Sequence, residues 1–191
     1  MDLAALREQF PVLERVAYLN AGSVGPMPRA AAEAVERELA LALERGRGGR
    51  DHFEHAAALA DRLRARIAGV LGASPWEVAL TGATTDGVNA VLAGLDLQAG
   101  DEILTTDEEH PGLLAPLGLA RQRRGVEIRT APFDAIAGAV GPRTRLVACS
   151  HVSWISGRII DTAALSALDT PVLLDGAQGL GAVPVDVREL G

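Results

Sequence analysis

From residue 78 onward the chain alternates short apolar runs with stretches of helical pattern, and this alternation constrains the fold more than any other feature. Val78–Thr81, Glu102–Thr105, Val126–Thr130, Arg145–Cys149 and Val172–Asp175 read as strands. Between them, Thr84–Leu95, Pro111–Arg124, a short stretch over Ala135–Val140 and Thr162–Leu168 read as helices. Strands that alternate with helices build a mostly parallel sheet covered on both faces. The expected fold class is therefore α/β, a three-layer α/β/α arrangement. In such sheets ligands bind beyond the carboxyl ends of the strands.

The first fifty residues differ. They read as helical arms around an extended piece, Tyr18-Leu19-Asn20, and a Gly/Pro loop from Ala21 to Pro28. Pro28 suits the first turn of a helix over Arg29–Glu44. Gly46, Gly48 and Gly49 break that helix, and another runs from about His52 to Leu71 before Gly72. The expected division is an N-terminal arm with a substrate-side loop over 1–50 and an incomplete large domain over 51–191.

Four polar clusters fall at expected strand ends. Thr81-Gly82-Ala83-Thr84-Thr85-Asp86-Gly87 joins a strand to a helix, and its small residues, hydroxyls and free helix N–H groups suit a phosphate. The alternative is that Thr84 caps the helix and Asp86 complements its dipole. Glu109-His110-Pro111 places a histidine where it can stack on a flat ring or move a proton, or simply cap a helix. His151-Val152-Ser153-Trp154-Ile155-Ser156-Gly157 can line a pocket, or Trp154 can pack. Leu174-Asp175-Gly176-Ala177-Gln178-Gly179 delivers a carboxylate to a strand end, where it can pair with a protonated ring nitrogen, although Asp-Gly is also common turn chemistry.

Taken in order with the earlier Asn20-Ala21-Gly22, these clusters resemble the class V aminotransferase and cysteine desulfurase family, over essentially all of Tyr18–Gly191. The resemblance implies the fold-type-I pyridoxal 5'-phosphate (PLP) architecture, usually a homodimer with sites at the interface. It implies that Thr84 and Thr85 bind the cofactor phosphate, and that His110 stacks over the ring. Asp175 would pair with the pyridinium nitrogen and Gln178 would lie near the ring hydroxyl. Asn20, Ala21 and Gly22 would lie near an amino-acid substrate, which reacts through a Schiff base with the cofactor. His110 and Asp175 would then carry the catalysis. Trp154 stands where cysteine desulfurases carry an asparagine, and an indole cannot copy an amide's hydrogen bonding. The likeness therefore leans toward the isopenicillin N epimerase-like or general aminotransferase-like branch, with a desulfurase as the alternative within the family.

All 18 basic residues are arginine. The family's Schiff-base lysine follows the Asp-Gly-Ala-Gln segment by some tens of residues, so that lysine and the small C-terminal domain are expected to be absent here. Without lysine no turnover is expected of this chain alone, which leaves a pseudoenzyme or half of a split enzyme as rivals. The net charge of −7 argues against a nucleic-acid partner, and no apolar run reaches the roughly 18 residues of a membrane span. The first residues lack the apolar core of a signal peptide, and the single cysteine, Cys149, fits a reducing, cytoplasmic setting. His52 and His55 share a helix face, but no third ligand is identifiable, so a solvated helix start is preferred to a metal site.

Overall fold

The computed structural model describes residues 2–190. They divide into two compact units, residues 1–60 and 61–191.

The first unit holds helix α1 (Leu3–Glu8), capped by the Asp2 carboxylate, a 3₁₀ turn at Pro11–Glu14, and α2 (Arg29–Arg45). The Arg29 N–H bonds to the Gln9 carbonyl at 2.7 Å, so the start of α2 is tied to the end of α1. Pro28 is the N-cap of α2 rather than a first-turn residue, because its extended ψ of 152° precedes the first helical residue. The long helix α3 (Arg50–Leu71) begins in this unit. Val35, Leu39 and Leu43, spaced four apart on one face of α2, are all exposed, Leu43 to 89%.

In the second unit α3 ends at Gly72, whose φ of +67° allows the reversal and whose missing side chain leaves room for the Asp186 carboxylate. Next come α4 (Thr84–Gly94), β1 (Glu102–Thr106), α5 (Pro111–Arg124), β2 (Glu127–Ala131), β3 (Thr144–Ser150), α6 (Thr162–Ser166), β4 (Val172–Asp175) and α7 (Val187–Leu190). The four strands form one parallel sheet in the order β2-β1-β3-β4. Its two faces are both covered, as parallel sheets require. On one face Ile103, Leu146 and Ala148 pack against Val88 and Leu92 of α4 and Leu113 and Leu117 of α5. On the other, Leu104, Val147 and Cys149 meet Phe133, Ile136, Ile160 and Leu165. No helix among the described residues is long and apolar enough to cross a membrane.

Two expected elements differ. Val78–Thr81 is not a strand: it leaves the 3₁₀ turn at Pro75–Glu77, and no described strand pairs with it, so its pattern has no ladder to join. The stretch over Ala135–Val140 becomes two 3₁₀ turns, Phe133–Ala135 and Ala137–Ala139. Pro132 before it and Gly138, Gly141 and Pro142 in and behind it leave no run long enough to nucleate an α-helix.

At the amino end of the sheet, Glu102 is buried and receives two bonds from the Arg129 guanidinium, at 2.7 and 2.8 Å, and one from the Thr144 hydroxyl. The Arg129 bonds, followed by Thr144, hold its carboxyl at about 2. A depressed carboxyl contributes stability that is present above its unfolded value and lost as pH falls through the folded one. Unfolding free energy should thus drop by about 2 kcal/mol between neutral pH and pH ~2 on account of this group, after discounting for the exposed side of Arg129. Urea titrations across that range, repeated on Glu102→Gln, should show a shallower slope in the variant; equal slopes would remove Glu102 from the acid limb.

Candidate active site

Helix α4 begins without a side-chain cap. Ala83 occupies the N-cap position and Thr84 the first helical position, so the capping role open to Thr84 is not realised. Asp86 turns back to accept the Gly82 N–H at 3.1 Å, and the Thr81 hydroxyl donates to the Ala83 carbonyl. The Thr84 and Thr85 N–H groups lie in the first turn, where no helical carbonyl can reach them. This end carries the positive pole of the helix, and Thr84 is exposed there.

Thr85 does something the sequence reading missed. Its hydroxyl donates to the Gly112 carbonyl at 3.1 Å, across to the first turn of α5. Gly112 is needed at this joint: a Cβ there would lie 3.1 Å from His110 Nδ1 and 3.2 Å from Thr85 Oγ1.

His110 is the N-cap of α5, its Nδ1 accepting the Gly112 N–H at 3.0 Å. The capping reading of His110 is thus realised, and it fixes the ring. With Nδ1 accepting, a neutral imidazole carries its proton on Nε2. The ring meets Trp154 edge to face, with centroids 5.1 Å apart and planes at 84°.

Two consecutive carboxylates hold this corner. Glu109 is buried and accepts from the Thr106 hydroxyl, the Ser150 N–H at 3.0 Å and the Ser150 hydroxyl, joining the ends of β1 and β3. Glu108 faces the other way and accepts from the hydroxyls of Ser153 and Ser156 and from Arg158, which also pairs with Asp134 and lies over the Phe133 ring. Those bonds, the Ser153 hydroxyl first, hold the Glu108 carboxyl at about 2. Glu108 thereby anchors the turn that presents Trp154, which is 48% exposed at its tip.

Asp175 ends β4 opposite Ser150 of β3. Leu173, two residues earlier, packs with the α4–α5 core, so Asp175 lies on the same sheet face as α4 and α5. It is 8% exposed, and Ala177 N–H occupies Oδ1 at 2.9 Å. Gln178 is half-buried in the turn that follows, where Gly179 and Leu180 both bond to the Gly176 carbonyl. His151 packs against that turn, and burial pushes its imidazole below the ordinary value. Neither Glu109 nor Asp175 has an ion-pair partner among the described residues. Burial, then Glu109 and then Asp175 push the Cys149 thiol up to about 12, so Cys149 is an inert core group.

The structure therefore links Thr85 to His110 through Gly112 and His110 to Trp154 by ring contact, and Ser150 links Glu109 to the strand end that bears Asp175. Asn20, Ala21 and Gly22 belong to the first unit, where Asn20 Oδ1 accepts the Ser23 hydroxyl at 2.9 Å and the Tyr18 hydroxyl closes the loop onto the Val24 carbonyl at 2.6 Å. His52 and His55 form no metal cluster with other described residues; His55 pairs with Glu38 at 2.8 Å.

Known proteins resemble this chain in sequence and fold. The chain is 34% identical to a cysteine desulfurase of Klebsiella pneumoniae, over 97% of this chain and 52% of that protein. It is 32% identical to the isopenicillin N epimerase of Streptomyces clavuligerus, over 92% of this chain and 47% of the other. A mutant of C-DES with glycine covalently linked to its PLP cofactor superposes with a TM-score of 0.90 at 34% identity, over 96% of this chain and 52% of that one. The chain thus spans about half the length of the relatives it matches. Residues 17–191 match the sequence pattern of the aminotransferase class-V family, and on that match the chain belongs to it.

Proposed function

We propose that this chain forms the cofactor pocket of a PLP-dependent class-V enzyme that acts on an amino acid. The observation that carries the reading is the uncapped start of α4, bonded through Thr85 to the His110 corner, with a buried Asp175 on the same sheet face. The donor set suits the cofactor. Backbone N–H groups and the Thr84 hydroxyl would take its phosphate, the fixed His110 ring would lie against its ring, and Gln178 would lie near its hydroxyl. Two buried carboxylates without a cation suit a protonated pyridine nitrogen, which Asp175 would hold. Bound there, PLP would supply an electron sink for a carbanion at the amino acid's α-carbon. The chain's own residues bind and orient: Asp175 keeps the ring nitrogen protonated, and His110 presents an Nε2 proton.

With arginine as its only long-chain base, the chain offers no side-chain amine for a Schiff base. A second reading is a pocket without turnover of its own, as a non-catalytic pseudoenzyme or as one half of a split enzyme. The C-DES mutant, in which a lysine is replaced by alanine, still carries glycine linked to PLP. It supports cofactor retention in a pocket that has lost a lysine. Trp154 in contact with His110 supports the epimerase-like or aminotransferase-like branch over a desulfurase, since an indole offers one donor and no acceptor. The exposed row Val35, Leu39, Leu43 supports a homodimer, and the single buried cysteine a cytoplasmic setting.

The test compares PLP with pyridoxal, which lacks the phosphate. Thr84→Ala should weaken PLP about tenfold, the cost of one hydrogen bond to a charged group, and leave pyridoxal unchanged. Equal affinities of parent and variant for PLP would take Thr84 out of the phosphate subsite.

A further inference from the structure

His110 is exposed, and an exposed side chain ordinarily hops between rotamers within nanoseconds. Two contacts restrain this ring. Its Nδ1 accepts the Gly112 N–H at 3.0 Å, and the Trp154 indole meets it edge to face with centroids 5.1 Å apart. Such an aromatic pair is directional, so it holds the ring's orientation as well as its place. Trp154 is itself 48% exposed, however, and it can restrain the imidazole only if its own turn is held.

The turn is closed around Ser153. The Ser153 hydroxyl oxygen accepts the Ile155 and Ser156 N–H groups at 3.1 and 3.0 Å, its carbonyl accepts the Gly157 N–H at 2.9 Å, and its own N–H donates to the Arg158 carbonyl at 2.8 Å. Glu108 ties this turn to the candidate site. Its carboxylate accepts from the buried Ser153 hydroxyl, from the Ser156 hydroxyl at 2.6 Å and from Arg158, which lies over the ring of the core residue Phe133. The segment that carries Glu108 is fixed on both flanks: Asp107 accepts the Phe133 N–H at 3.0 Å, and Glu109 accepts the Ser150 N–H at 3.0 Å. Glu108 and His110 stand two residues apart, one bonded to the base of the turn and the other touching its indole. The circuit Glu108, Ser153, Trp154, His110 is therefore short and closed, with little slack in it.

We propose that Glu108 is a positioning residue for the His110 ring, which it holds in one orientation through the Ser153–Ser156 turn and the Trp154 indole. The carboxylate points away from the imidazole and acts on it only through the turn. What the ring then meets rests on the PLP reading; the clamp itself does not. A ring held in advance binds a flat partner without first losing its rotational freedom, so loosening the clamp weakens that partner.

The test follows the ring protons of the four histidines by NMR at one fixed pH, with His110→Gln assigning the signals of His110. In the parent chain the indole ring current should displace those signals, and Trp154→Leu should return them to the positions of a free imidazole. Glu108→Ala should move them the same way while the methyl signals of Ile103 and Leu113 in the core stay in place. Ser153→Ala removes the buried link from the side of the turn; it should give the same shift, and it decides the matter if Glu108→Ala does not fold. Glu108→Ala should also weaken PLP roughly fivefold, within the reach of one aromatic pair. Combined with Trp154→Leu it should cost nothing beyond Trp154→Leu alone, because the carboxylate acts through the indole. His110 signals unmoved in the folded variants would overturn the proposal, as would losses of PLP affinity that multiply. If the parent chain binds no PLP, the cofactor reading fails by itself, and the ring shifts decide the clamp.

Discussion

Glu109→Ala is expected to lower the unfolding free energy by about 4 kcal/mol. The substitution leaves two buried hydroxyls, Thr106 and Ser150, and the Ser150 N–H without their acceptor. Each orphaned buried donor costs about 1–3 kcal/mol, and the sum is a large part of an ordinary domain's stability. Glu109→Gln keeps the volume and one carbonyl oxygen, and the hydroxyls can rotate to accept from its amide. It should cost less than half as much. Denaturant titrations of the three proteins check this. A Glu109→Ala chain as stable as the parent would show that the carboxylate does not hold the ends of β1 and β3 together. The position matters because Glu109 immediately precedes His110, so slack between the two strand ends would pass directly to the ring.

The second large effect is expected at Gly179. A Cβ there would lie 2.6 Å from His151 Nδ1 and 3.1 Å from Cγ of the same ring. The imidazole is buried, so Gly179→Ala should cost about 2 kcal/mol by overpacking. The strain falls on the turn that carries Gln178 directly behind Asp175. Truncating the ring should relieve it: in a Gly179→Ala, His151→Ala pair the loss should be clearly smaller than the sum of the two single losses. Thermal or urea unfolding of the four proteins gives the coupling. Strict additivity would mean that the ring and the glycine do not oppose each other.

The alternating pattern gave most of the sheet in advance. Pro111–Arg124 and Val172–Asp175 have the bounds expected from the sequence, and β1 and β3 extend theirs by one or two residues. Val78–Thr81 misled because a strand is a property of two segments, and local pattern carries no information about a partner. The resemblance named the right family, and the chemistry-bearing clusters do gather at one end of the sheet. What stayed hidden was the bonding between them. The bond from the Thr85 hydroxyl to the Gly112 carbonyl is one example, although Pro116 inside a helical run and a glycine four residues before it were visible signals. Glu108 and Glu109 stand side by side before His110. Their opposite roles, one inward to Ser150 and one outward to Ser153, Ser156 and Arg158, depend on strand ends that only the fold brings close.

The central claim is that the pocket holds PLP by its ring nitrogen at Asp175. The direct measurement is a titration of the chain with PLP, following the cofactor's absorbance and induced circular dichroism, in the parent and in Asp175→Ala. The expected result is saturable binding by the parent and at least about thirtyfold weaker binding by Asp175→Ala, the effect of removing one partner of a buried charge pair. Equal affinity in the two proteins, or no saturable binding by the parent, would contradict it.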